Sequence, residues 1–110
     1  MIISFTDAKM NRTDEKVFLL TVVGSLVALQ SDVITIDEAE SALFSPYMVK
    51  KLKAQCCDEK IIRLIEKGCE LEDIASLIPE KYSDMINEMK EDALKLISNY
   101  ETFDRSFWIE

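Results

Sequence analysis

Three cysteines and two runs of acids are the residues of this chain whose types and spacing could do chemistry. The cysteines are Cys56, Cys57 and Cys69; the acids are Asp37, Glu38 and Glu40, and Glu70, Glu72 and Asp73. Three thiolates with a carboxylate such as Glu70 would supply the four ligands of a tetrahedral zinc site. The spacing argues against it, because zinc modules take two ligands two to four residues apart, twice over. Cys56 and Cys69 are expected instead as small core residues. The acid runs would suit a divalent cation, but neither forms an Asp-x-Asp-x-Asp-Gly calcium loop. Each falls in the first turn of a predicted helix, where acids are stabilised by ~0.3–1 kcal/mol through the helix dipole. No metal and no cofactor is expected.

Nucleophilic and acid–base chemistry lack their usual parts. The chain has no His, which removes the commonest general base and proton shuttle. Gly24 and Gly68 stand alone, so no glycine-rich phosphate loop exists, and no serine lies in a Gly-x-Ser-x-Gly turn. A thiol without a neighbouring imidazole is a poor nucleophile. The chain is not expected to be an enzyme.

Binding is the chemistry that remains. On the last predicted helix, Asp84, Glu88, Glu91 and Lys95 fall on one solvent stripe with Asp92 beside it. Asp84–Glu88 and Glu88–Asp92 are like-charge pairs at four-residue spacing, each costing a few tenths of a kcal/mol. Such a stripe suits a basic partner. Asp84, Glu88, Glu91 and Asp92 are therefore the first candidates for a partner-binding face, followed by Glu70, Glu72 and Asp73. Lys50, Lys51 and Lys53 form a small basic patch, read as an exposed face balancing nearby acids.

The elements that must position these residues read as helices. Only two Gly and two Pro occur in 110 residues, too few for the turns of an all-β domain. Asn11 or Thr13 caps a first helix whose run Val17–Leu29 is apolar on nearly every side, so it is expected to be buried. At 13 residues this run falls short of the about 20 that cross a bilayer. Gly24 within it suggests a close helix crossing or a self-association face. Thr35 with Glu38 forms a capping box, and Ser45-Pro46 starts the next helix. That helix turns Met48, Val49, Leu52 and Cys56 inward. Asp58 caps a helix that Lys67-Gly68 ends. Leu71, Ile74, Ala75 and Ile78 form one stripe, closed by Pro79. A long amphipathic helix follows from about Glu80 to Tyr100. Met1–Phe5 suits a short strand or arm, and the tail with Phe103, Phe107, Trp108 and Ile109 is expected to dock on the helices.

Length and charge bound the rest. One domain spanning residues 1–110 is the natural unit at this size. Thirteen cations against 21 acids give a net charge of −8, which opposes nucleic-acid backbones and anionic membranes and attracts basic partners. No secretory signal pattern opens the chain, and an odd number of cysteines suits a reducing compartment, so a cytoplasmic location is expected. The segment Ile61–Leu77 has the outline of a helix-turn-helix. Its second helix carries Glu70, Glu72 and Asp73 and no cation, which makes a DNA-reading regulator a weak alternative.

Three stretches carry a resemblance: Leu19-Leu-Thr-Val-Val-Gly-Ser-Leu-Val-Ala-Leu29, Thr35-Ile-Asp-Glu-Ala-Glu40 with Phe44-Ser-Pro-Tyr47, and Glu70-Leu-Glu-Asp-Ile-Ala-Ser-Leu-Ile-Pro79. They look like a small, uncharacterised family of bacterial helical proteins, over nearly the whole chain. Proteins of this kind resemble the cytosolic immunity proteins of contact-dependent growth-inhibition and polymorphic toxin systems. The resemblance implies an antitoxin-like domain that binds and blocks a cognate toxin, a nuclease by preference, through stoichiometric protein contact. It carries over no binding residue. The expectation is an all-α bundle of five to six helices around a buried central helix, with a short N-terminal strand as an option. The expected partner is a basic toxin domain rather than nucleic acid or membrane. A regulatory adaptor or a homodimeric structural protein is the alternative.

Overall fold

The computed structural model describes residues 9–103, and the expectations for Met1–Phe5 and for Phe107, Trp108 and Ile109 lie outside them. Every element among the described residues is helical. In chain order they are α1 (Arg12–Gln30), α2 (Ile36–Ala42), α3 (Pro46–Ala54), α4 (Glu59–Gly68), α5 (Leu71–Leu77), a 3-10 turn (Pro79–Lys81) and α6 (Tyr82–Ile97). Helices α1, α3, α4 and α6 have nine residues or more; α2 and α5 have seven each. No helix among the described residues is long and apolar enough to cross a membrane.

Local sequence sets the helix starts. Asn11 and Asp14 cap each other's backbone N–H in a reciprocal box at the start of α1. Thr35 Oγ1 accepts from the Glu38 N–H at 3.1 Å, Ser45 Oγ from the Met48 N–H at 3.1 Å, and Asp58 Oδ1 from the Lys60 N–H at 2.8 Å. Two helices stop through a left-handed residue that is not glycine. After α1 and α3 the chain turns through a left-handed residue, Asp32 and Cys56, each at φ 56°. Behind Asp32, the Val33 N–H returns to the Ala28 carbonyl; behind Cys56, the Cys57 N–H returns to that of Leu52. Both are Schellman closures, in which the orphan carbonyls of the last turn find donors.

The core lies where α1, α4 and α6 meet. Phe18, Leu19, Val22 and Leu26 from α1, Ile61 and Ile65 from α4, and Ile86, Met89 and Ala93 from α6 are fully buried, with Phe44 and Leu71 closing one end. Helix α6 packs chiefly along α1 and then α4. At one end of the α1–α6 pair, Gln30 receives a hydrogen bond from Lys90 Nζ and donates one to Asn87. At the other end, Lys16 Nζ donates to the Glu101 carbonyl at 2.7 Å and lies 4.4 Å from the centroid of the Phe103 ring.

Several expectations change once the chain is folded. Helix α1 is not wrapped on all sides: Leu20 and Val27 are 42% and 45% exposed. A β-carbon on Gly24 would meet nothing within 4 Å, so no helix crosses there. A domain of this size cannot cover the full circumference of its longest helix. Gly68 does not stop α4 from outside but is its last residue, and the Phe44 ring fills the space beside it. Cys56 is exposed rather than buried, because α3 ends at Ala54 and the left-handed turn throws it outward; Cys57 takes the buried position and Cys69 is half-buried. Ile78 lies past the end of α5 and is 40% exposed. Glu15, in the first turn of α1, is buried. It accepts from the Asp58 backbone N–H at 2.8 Å and the Tyr100 hydroxyl at 3.1 Å. Arg12 stacks on the Tyr100 ring and lies 3.6 Å from the Glu15 carboxylate.

Candidate functional site

The capping of α2 at Thr35 sets Asp37 and Glu40 three residues apart on one helix face. On α5 the buried Leu71 rolls its neighbour Glu72 toward α2, against which α5 packs. Carboxylate oxygens of Asp37, Glu40 and Glu72 come to lie within 4.8 Å of one another. Asp37 and Glu72 are exposed and Glu40 is half-buried. Burial, then the hydrogen bond and repulsion from Glu72, then Asp37, push the Glu40 carboxyl above its ordinary pKa. The α2–α5 seam thus holds negative charge that its own helices do not neutralise. Three carboxylates giving one oxygen each would supply a calcium ion with half or less of the six to eight oxygens it takes, the rest coming from water. A Lys or Arg head group from a partner fits the same cluster with no such shortfall.

The sequence-predicted face is distributed differently from its one-helix reading. Lys67 of α4 donates to Glu88 Oε1 at 2.6 Å and to Asp92 Oδ2 at 3.5 Å. The Glu88 hydrogen bond is the main reason the Lys67 ammonium is held above its usual pKa. The Glu88–Asp92 pair is therefore bridged by a cation from another helix, which relieves the like-charge repulsion expected between those two positions. Lys81, Asp84 and Glu88 rim a groove of about 300 Å³ between α5 and α6, floored by Ile74, Ile78 and Met85. Glu91 is exposed farther along α6, and Asp92 is turned toward α4. Glu70 is exposed at the start of α5, where it makes no side-chain cap. Asp73 is exposed on the outward turn of α5.

Helix α5 stands between the carboxylate cluster and the groove, with Glu72 on one flank and Ile74 on the other. Its outer surface ends in Leu77, one turn beyond Asp73 and 78% exposed. An apolar side chain that open, set among acids and next to an apolar groove, has the make-up of an interface anchor within a charged rim. Asp37 and Glu40 were legible as one acid run and Glu72 as part of another, but their meeting was not, and Leu77 was not singled out. Asp37 and Glu72 are 35 positions apart, and no local spacing relates them. Leu77 continued the helical spacing of the α5 stripe but sits on its outer side.

The family model described as "Protein of unknown function (DUF3969)" matches residues 9–110. No curated protein and no solved structure matches the chain.

Proposed function

The chain belongs to the DUF3969 family of proteins of unknown function, and from that premise we propose that it is a cytoplasmic immunity protein. It would bind and neutralise a cognate bacterial toxin domain, a nuclease by preference, through one-to-one protein contact. The observation that carries this reading is the Asp37–Glu40–Glu72 cluster, with exposed Leu77 at the end of the same short helix as Glu72. Packed like charges cost the free protein stability and are relieved when a partner's cation enters, so the cluster is worth more in a complex than alone. A nuclease presents Lys and Arg to phosphate, and an acidic face that pairs with them excludes the substrate. The net charge of −8 accelerates that encounter.

The test is whether a neighbouring gene encodes a secreted protein with a variable C-terminal toxin domain, then capture of that domain by this chain, followed by titration calorimetry. Glu40→Lys with Glu72→Lys is expected to weaken capture by roughly 100-fold or more, since like charges then face each other. Reversing Glu88 and Glu91 together tests the α6 side of the same face. Unchanged affinity in both double variants would reject the acidic face, and failure of the wild-type pair to associate would reject the immunity reading.

A second reading, a homodimeric structural or adaptor protein, is favoured by α1. Leu20 and Val27 with the open flank of Gly24 form an exposed apolar strip on that helix. A dimeric mass in solution, lost in Val27→Glu, would support it.

A further inference from the structure

In a chain of net charge −8, a cleft of about 500 Å³ between α4 and α6 is lined by four cations and one carboxylate. Its construction follows from helical spacing. Lys60, Arg63 and Lys67 recur at steps of three and four and share one face of α4. Lys67, at the end of α4, meets Glu88 and Asp92 in the middle of α6, while Lys60 and Arg63, earlier on α4, share the cleft with Lys95 and Asn99, later in the chain; the two helices therefore run antiparallel. Lys60 and Arg63 then come level with Lys95 and Leu96.

The cations are not equivalent. Lys67 is already neutralised by its two carboxylates and closes one end. Arg63 has only an exposed pair with Glu59 at 3.7 Å, of the kind that contributes little and yields to a better partner. Lys60 and Lys95 make no side-chain hydrogen bond or ion pair with the described residues. Beneath them lie buried Leu64 and half-buried Leu96. Three available positive groups from two helices line one cleft above an apolar floor.

We propose that the α4–α6 cleft binds a small organic phosphate, its phosphate held by Lys60, Arg63 and Lys95 and its apolar body laid on Leu64 and Leu96. A guanidinium fork with two flanking ammonium groups matches a phosphate dianion with three acceptor oxygens better than a monovalent carboxylate. The size is that of a small-ligand site. Glu59, Glu66 and Glu91 flank the cations along α4 and α6, and a longer polyanion would run onto them. The site goes beyond the toxin-binding reading and does not depend on it.

The test is an amide-resolved NMR titration of the full chain with phenyl phosphate, with inorganic phosphate, benzoate and a single-stranded oligonucleotide as parallel arms. Saturable shifts are expected to be confined to residues 60–67 and 92–99, with phenyl phosphate binding roughly tenfold more tightly than inorganic phosphate. Affinity should rise from about pH 5 to about pH 7.5 as the second phosphate proton leaves near 6, while benzoate stays weak. Arg63→Gln and Lys95→Gln should each weaken phenyl phosphate by roughly tenfold, and Lys50→Gln, an exposed change on α3, should not. The assignment is overturned if no shift saturates or if the cleft variants bind like wild type. It is equally overturned if benzoate matches phenyl phosphate, or if the oligonucleotide binds the cleft more tightly than either.

Discussion

The Phe44 ring occupies the space that a β-carbon on Gly68 would need: such an atom would overlap ring atoms Cδ1 and Cγ. Phe44 is buried at the α2–α3 junction and Gly68 ends α4, so the contact locks the connection between these helices onto the core. Gly68→Ala gains about 1 kcal/mol of helix propensity. It should nevertheless lower stability by a net ~1–3 kcal/mol, because ring and helix must move apart. Urea unfolding checks this, and Phe44→Leu in the same background should recover part of the loss. A stabilised Gly68→Ala protein would show that the ring yields freely.

Gly24 is the opposite case. It sits mid-helix with open space where a side chain would go. Gly24→Ala should raise stability by about 0.5–1 kcal/mol through backbone entropy alone. The rise should appear in the midpoint of urea unfolding without a change in slope.

Glu15 ties together three parts of the chain by accepting from Asp58 and Tyr100 while facing Arg12. Glu15→Ala leaves the Asp58 N–H and the Tyr100 hydroxyl without their acceptor. It should cost about 2–4 kcal/mol. Tyr100→Phe removes only one of these bonds and should cost about 1 kcal/mol. Equal losses in the two variants would show that the carboxylate is not the hub.

The carboxylate cluster makes a pH prediction with a definite sign. Glu40 is held above its ordinary pKa, first by burial and then by Glu72, so the folded state binds more protons there than the unfolded chain. Stability from this site therefore falls as pH rises from the ordinary glutamate range through the raised value, and returns on acidification. Glu40→Gln should be more stable than wild type at pH 7, and the difference should disappear below pH 4. Thermal unfolding across that range checks it; a Gln variant less stable at pH 7 would mean that the cluster is internally satisfied.

The thiols should separate by reactivity. Burial, with the Glu15 carboxylate adding, pushes the Cys57 thiol up to about 12, and burial with Glu40 raises Cys69. Cys56 is exposed on its left-handed turn. Iodoacetamide at pH 8 should label Cys56 in the native protein and reach Cys57 only after unfolding, with rates differing by roughly 100-fold or more. Equal labelling of Cys56 and Cys57 would contradict the outward turn.

The helices and their starts were legible in the linear chain, because caps and apolar spacing are local. Asn11, Thr35, Ser45-Pro46 and Asp58 each open a helix through bonds reaching no more than three residues. The all-helical class followed from the same signals, and so did the inward positions Leu52, Ile65, Ile86 and Met89. What the chain's order could not reveal depends on residues far apart in it. Lys67 cancels an acidic pair on another helix, Asp37 and Glu40 meet Glu72, and Lys95 joins Lys60 and Arg63 above an apolar floor. Each depends on how two helices are rolled and staggered, which packing of the whole core decides. The fate of the two glycines and of Cys56 was settled in the same way. A glycine looks identical in sequence whether a ring lies against it or nothing does, and a cysteine at helical spacing faces inward only if the helix continues that far.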